Sequence, residues 1–149
     1  MNKRNLKLDK YGISGSRYKE LCGFCEQYPE WQSFLIHKTD TLASPQITDM
    51  PIPSHNNSDK TGDLAIKKAF YEKKCEIIER CAYQADNDIW RYLIKSVCYK
   101  VPMNYLVSYD EMPCSKSAFY EKRRYFFYLL DIEHRNLFEN TEKKYIKLC

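Results

Sequence analysis

Glycine is scarce in this chain, with four residues in 149. No glycine-rich phosphate loop can be built from them, so nucleotide hydrolysis has no visible cradle. No run of apolar residues approaches the ~20 that a membrane helix needs, and a membrane-spanning segment is not expected. The opening "MNKRNLKLDKYG" is basic but has no apolar stretch of the kind a secretory leader requires. Charge of one sign is also lacking: 24 Lys plus Arg against 20 Asp plus Glu leave a formal net charge of +4. So mild an excess says little about partners, and what matters is where the cations sit.

Cysteine, by contrast, is present seven times, at Cys22, Cys25, Cys75, Cys81, Cys98, Cys114 and Cys149. An odd number without a leader reads as free thiols in a reducing, cytoplasmic setting. "CGFC" at 22–25 has the spacing of a redox pair or of half a zinc site. A redox pair belongs beside a βαβ pattern, which is missing, and no second paired motif supplies the other zinc ligands. On a helix, i and i+3 cysteines serve as small apolar face residues. His37, His55 and His134 are isolated, with no Ser or Cys and acid constellation around them. No catalytic residue, metal or cofactor is therefore expected. Aromatics reach 15 % with thirteen tyrosines, a balance that suits packed helices, and the fold class read here is all-α.

Along the chain, "SGSRYKELCGFCEQYPEWQSFLI" gives a helix capped by Ser14 or Ser16, then a bend at Pro29 and a short second helix. Residues 1–36 thus read as an N-terminal helical hairpin. "HKTDTLASPQITDMPIPSHNNSD" carries three prolines and no sustained periodicity, and 37–60 reads as a Pro-containing linker. Four helices follow in a domain over 61–131. The longest places Ile66, Ala69, Phe70, Ile77 and Cys81 on one face. The next, after a capping Asp86, has the stripe Ile89, Trp90, Leu93, Ile94, Val97 and Cys98. "VPMNYLV" makes a short third, and the fourth runs from Ser115 to about Asp131, leaving 132–149 as a tail that extends the helix, frays, or forms a short extra helix.

That fourth helix, in "PCSKSAFYEKRRYFFYLL", has two unlike sides. At 100° per residue, Phe119, Lys122, Arg123, Phe126 and Leu130 share the core side, while Ser117, Tyr120, Glu121, Arg124 and Tyr128 share the other. The second set suits phosphates and base edges better than a core. Lys116 and Ser117 stand in the first turn, where free N–H groups already favour phosphate. With "VPMNYLV" before it and "SYDEMP" as the turn, the arrangement is a helix-turn-helix whose recognition helix starts at Ser115. The plainer reading makes it a core helix with a solvated outer face.

The string from "DKTGDLAIKKAFYEKK" to "VPMNYL", followed by "PCSKSAFYEKRRYFFYLL", resembles the late transcriptional regulators of the ArpU and RinA kind from phages and prophages of Gram-positive bacteria. "YGISGSRYKELCGFCEQYPEW" is similar to the start of relatives in that group. The resemblance implies a double-stranded-DNA-binding regulator in the bacterial cytoplasm, whose C-terminal helices are similar to region 4 of sigma factors. It assigns DNA contact to Ser115, Lys116, Ser117, Tyr120 and Arg124. Glu121 on the same face is placed to read a cytosine amino group, and Arg123 to reach round to a phosphate from the core side. Host RNA polymerase and a second copy of the chain are further partners left open for the hairpin. A small terminase subunit and a helical factor that docks on a host protein are the alternatives.

Overall fold

The computed structural model describes residues 8–41 and 57–146, and among them the chain is all-α. A 3-10 turn, Asp9–Tyr11, is closed by Gly12 at φ 71°, a left-handed conformation that costs glycine nothing. Helix α1, Gly15–Glu26, follows. Its N-cap is Ser14, whose Oγ accepts from the Arg17 N–H at 3.2 Å, as the sequence predicts. Leu21, Phe24 and Cys25 form its buried stripe. Helix α2, Tyr28–Thr41, begins after a single residue, Gln27, with Pro29 in its first turn, where the missing N–H has no intrahelical partner to lose.

That one-residue joint changes the expected hairpin. Helices that fold back on each other need a loop of two to five residues. Here α2 instead lies along α3, Asn57–Ala85, while α1 packs on α4, Trp90–Cys98, and on α6, Lys116–Ile146. Buried residues from all of these elements belong to one hydrophobic cluster, running from Leu8 and Ile13 through Trp31, Ile78, Leu93 and Phe126 to Leu137. The prolines between 42 and 56 lie outside the described residues.

Helices α3 and α6 form the long antiparallel pair of the fold. Arg80 meets Glu133 at 2.7 Å, while Asp86, just past α3, meets Lys122 near the start of α6 at 3.7 Å. The predicted stripes are buried where the pair has neighbours: Ile77 and Cys81 on α3, and Leu93, Ile94, Val97 and Cys98 on α4. Ile66 and Phe70 depart from expectation, with Ile66 71 % exposed. They occupy the N-terminal half of α3, which starts at 57, and Phe70 there lies under the Lys74 ammonium at 4.3 Å. At the other boundary α6 does not stop at Asp131. Phe126, Leu130, His134 and Leu137 continue one inward-facing line at steps of four, four and three, and they hold the helix to Ile146.

Helix α5, Met103–Ser108, buries Leu106 alone. The segment joining it to α6 is pinned to α4: Tyr92 donates its hydroxyl to the Asp110 carbonyl at 3.1 Å, and Lys95 pairs with the Asp110 carboxylate at 2.9 Å. The principal partners of α6 are α3 and then α1, with α5 contributing less. Lys100 and Glu111, which follow α4 and α5, hold φ of 54° and 51°. Each precedes an N–H that returns to a carbonyl in the helix just ended, Val101 to Lys95 and Met112 to Leu106.

Candidate nucleic-acid interface

Helix α6 starts where Ser115 caps it. The Ser115 Oγ accepts from the Ala118 N–H at 3.2 Å, and the hydroxyl proton stays available to donate outward. Ser115, Lys116 and Ser117 are all exposed. Behind them Phe119, Phe126, Phe127 and Leu130 are fully buried, so the first turn projects from a helix gripped firmly on its other side. Phe126 and Phe127 meet edge to face at 5.2 Å, and Phe127 takes the ring of Tyr18 from α1 at 5.0 Å.

The next residues divide. Tyr120 is half-buried and Glu121 is exposed on the same side as Ser117. Arg124 shares that side but is tied down: its Nη2 donates to Glu121 Oε1 at 2.6 Å, and only 15 % of its side chain reaches solvent. Arg123 is not brought together with the others. Its guanidinium lies over Phe127 at 5.3 Å and Tyr18 at 5.9 Å, with Nε buried and lacking a hydrogen-bond partner. Of the seven residues singled out in the sequence, Ser115, Lys116, Ser117, Tyr120 and Glu121 therefore form one accessible strip. Arg124 lies at its edge, and Arg123 faces α1.

Further along α6 the same side becomes aromatic. Tyr125 stacks on Tyr128 at 6.2 Å, and Tyr128 in turn meets Tyr11 of the 3-10 turn at 5.3 Å. Lys10 is exposed beside Tyr11, its Nζ 5.9 Å from the ring.

The inner side holds a buried polar clamp that sequence reading passed over. Arg17 of α1 donates from Nε to Asp131 Oδ1 at 2.6 Å, and its Nη2 lies 3.2 Å from His134 Nδ1. A guanidinium has no acceptor, so this contact requires Nδ1 to be unprotonated. Burial holds the His134 imidazole below its ordinary pKa, and the Arg17 charge acts in the same direction. The ring is flanked by Phe24 at 4.8 Å and Phe138 at 4.6 Å. Arg135 adds a weaker contact to the other Asp131 oxygen at 3.4 Å. Arg17 and Asp131 are 114 residues apart, and only an exact fold brings them within bonding distance.

The "CGFC" pair splits on folding, with Cys25 buried and Cys22 half-buried. Burial pushes the Cys25 thiol well up and raises Cys22 as well, so both stay protonated and are poor nucleophiles at neutral pH. Burial likewise lifts Cys81 to about 12 and, helped by the Glu79 charge, Cys75 to about 11. Among the described residues no group of three or more His, Cys, Asp or Glu side chains is placed to hold a metal ion. No helix is long and apolar enough to cross a membrane among those residues. No family model, curated protein or solved structure matches this chain.

Proposed function

We propose that this chain is a sequence-specific double-stranded-DNA-binding protein that regulates transcription of late phage or prophage genes. The observation that carries this reading is the exposed first turn of α6, Ser115, Lys116 and Ser117, followed on the same side by Tyr120 and Glu121. Lys116 is exposed and the first turn of α6 holds no acidic residue, so the positive end of the helix dipole is reinforced instead of neutralised. Four fully buried residues on the opposite side, Phe119, Phe126, Phe127 and Leu130, fix the direction in which that turn points. Rigid presentation of a short polar strip is what major-groove reading needs. In this reading Lys116 contributes phosphate contact, Ser117 and Tyr120 sample base edges, and Glu121 discriminates among bases while it restrains Arg124. Arg123 serves the joint between α1 and α6, not the DNA.

The test is fluorescence anisotropy of duplex fragments from the gene's own neighbourhood over a salt series, with Lys116→Ala alongside. One fragment should bind well above the rest, and the variant should flatten the salt slope by about one. Equal weak binding of all fragments, or none, refutes the reading.

A second reading, a helical factor that docks on another protein, is favoured by the surface of α5. Tyr105 and Tyr109 stack at 4.9 Å in exposed positions, with Val107 exposed between them in the chain. That reading expects no salt-dependent DNA binding.

A further inference from the structure

Glu121 and Arg124 are unequal partners. The Glu121 side chain stands on the accessible strip of α6 and is 62 % exposed, whereas that of Arg124, three residues on, is only 15 % exposed. Their bond is short, with Arg124 Nη2 donating to Glu121 Oε1 at 2.6 Å. To serve a phosphate, Arg124 would have to leave both that bond and its cover, and a bare carboxylate would then face the duplex. Both changes oppose binding. While the pair holds, the two charges sum to zero, and Glu121 can approach a groove lined with phosphates without net repulsion.

What the pair can do follows from its acceptors. An ionised carboxylate has about four lone-pair sites, and Arg124 takes one of them. A glutamate exposed on a helix otherwise samples many rotamers. Tied to a covered guanidinium, on a helix gripped by Phe119, Phe126, Phe127 and Leu130, the carboxylate keeps one direction. The base-edge donors it can meet in the major groove are exocyclic amino groups, N4 of cytosine and N6 of adenine. Guanine O6 and N7 and thymine O4 are acceptors and repel it.

We infer that Arg124 is a positioning residue that touches no DNA: it orients and neutralises Glu121, whose carboxylate accepts a hydrogen bond from the amino group of one cytosine or adenine in the major groove. This rests on the DNA-binding reading above. The probe is the preferred duplex of that anisotropy series, remade with single cytosines replaced by 2-pyrimidinone or single adenines by purine, each of which lacks the amino group. One replacement should cost wild type roughly tenfold in affinity, and the series that contains it tells cytosine from adenine. At that position Glu121→Ala and Arg124→Ala should each lose less than about twofold, while Arg124→Lys, which keeps a cation beside Glu121, should lose at least about fivefold. The double variant Glu121→Ala with Arg124→Ala leaves the net charge unchanged and should keep the wild-type salt slope, because no phosphate contact has gone. Far-UV circular dichroism at the assay temperature shows whether each variant is folded, and Arg124→Gln replaces Arg124→Ala if the alanine variant is not. If no amino deletion matters to wild type, if Arg124→Ala stays as sensitive as wild type, or if the double variant loses about one unit of slope, the inference fails and the DNA reading stands. If wild type prefers no duplex, both fall.

Discussion

Asp131 to Ala should be among the most damaging single changes outside the aromatic core. The Asp131 side chain is 10 % exposed and that of Arg17 17 %, so truncation leaves a largely buried guanidinium without its main counter-ion. Breaking one partner of such a pair costs about 3–5 kcal/mol. Glu20 remains 3.0 Å from Arg17 and places the value near 3. Against a total of roughly 5–15 kcal/mol for a domain, that is a large share. Asp131→Asn keeps an acceptor and should lose about 1–3 kcal/mol. Urea unfolding followed by far-UV circular dichroism measures both, with a lower midpoint at constant m expected. The decisive variant is the double change Arg17→Met with Asp131→Leu. Most of the penalty lies in stranding a charge, so removing both partners should restore the majority of the loss. Glu133→Ala serves as the contrast: its pair with Arg80 is 32 % and 42 % exposed and should be worth less than about 1 kcal/mol. A loss from Asp131→Ala within 0.5 kcal/mol of that control, or a double variant no better than the sum of the singles, would refute the clamp as described.

Acid should weaken the same clamp. The folded state holds His134 below its ordinary pKa, whereas the unfolded chain takes up the proton near 6.5. Stability from the neutral ring is complete above that value and is lost as pH falls below it; urea midpoints at pH 7.5 and 5.5 should differ more in wild type than in His134→Gln, and equal differences would count against it. Lys100→Gly and Glu111→Gly each relieve a left-handed backbone at a non-glycine residue, so each should stabilise by about 1 kcal/mol, read as a raised midpoint. In a Cys149→Ser background, native protein treated with a thiol-reactive chromophore should be modified slowly at Cys22 and Cys114. Cys25, Cys75, Cys81 and Cys98 should react only after urea is added, which peptide mapping will report.

Periodicity revealed the helices because each has an apolar line that a 3.6-residue repeat displays. The lines on α4 and on the first half of α6 are buried as expected, and Ser14 and Ser115 each accept a backbone N–H group at a helix start, whereas Asp86 accepts from Asp88 and Ile89 in the turn before α4, whose N-cap is Ile89 with no side-chain cap. Periodicity could not say which part of a stripe is covered, so Ile66 and Phe70 look like core in the sequence and stand partly in solvent. Past Asp131 it left extension, fraying and a separate short helix open, because the inward line there passes through His134, a residue held by Arg17 more than a hundred positions away. The candidate strip was legible for the same local reason: Ser115, Lys116 and Ser117 owe their exposure to the helix start. Arg123 was not, since its orientation is set by Tyr18 on another helix. Arg124 was legible in direction, but its pairing with Glu121 was not read from the spacing.

Because α6 is one unbroken helix, it works as a lever. About 22 Å separates Lys116 from Asp131 along its axis, at 1.5 Å for each of fifteen residues. A tilt of 5° at the Arg17–Asp131–His134 fulcrum would carry the first turn through roughly 2 Å, more than half the 3.4 Å rise between neighbouring base pairs. In the DNA-binding reading proposed above, the alignment of Ser117 and Tyr120 with the bases would depend on this polar joint as well as on the buried grip of Phe119, Phe126, Phe127 and Leu130. Loosening that joint, by acid or by mutation, should blur which sequence is preferred before it lowers how tightly any duplex is held.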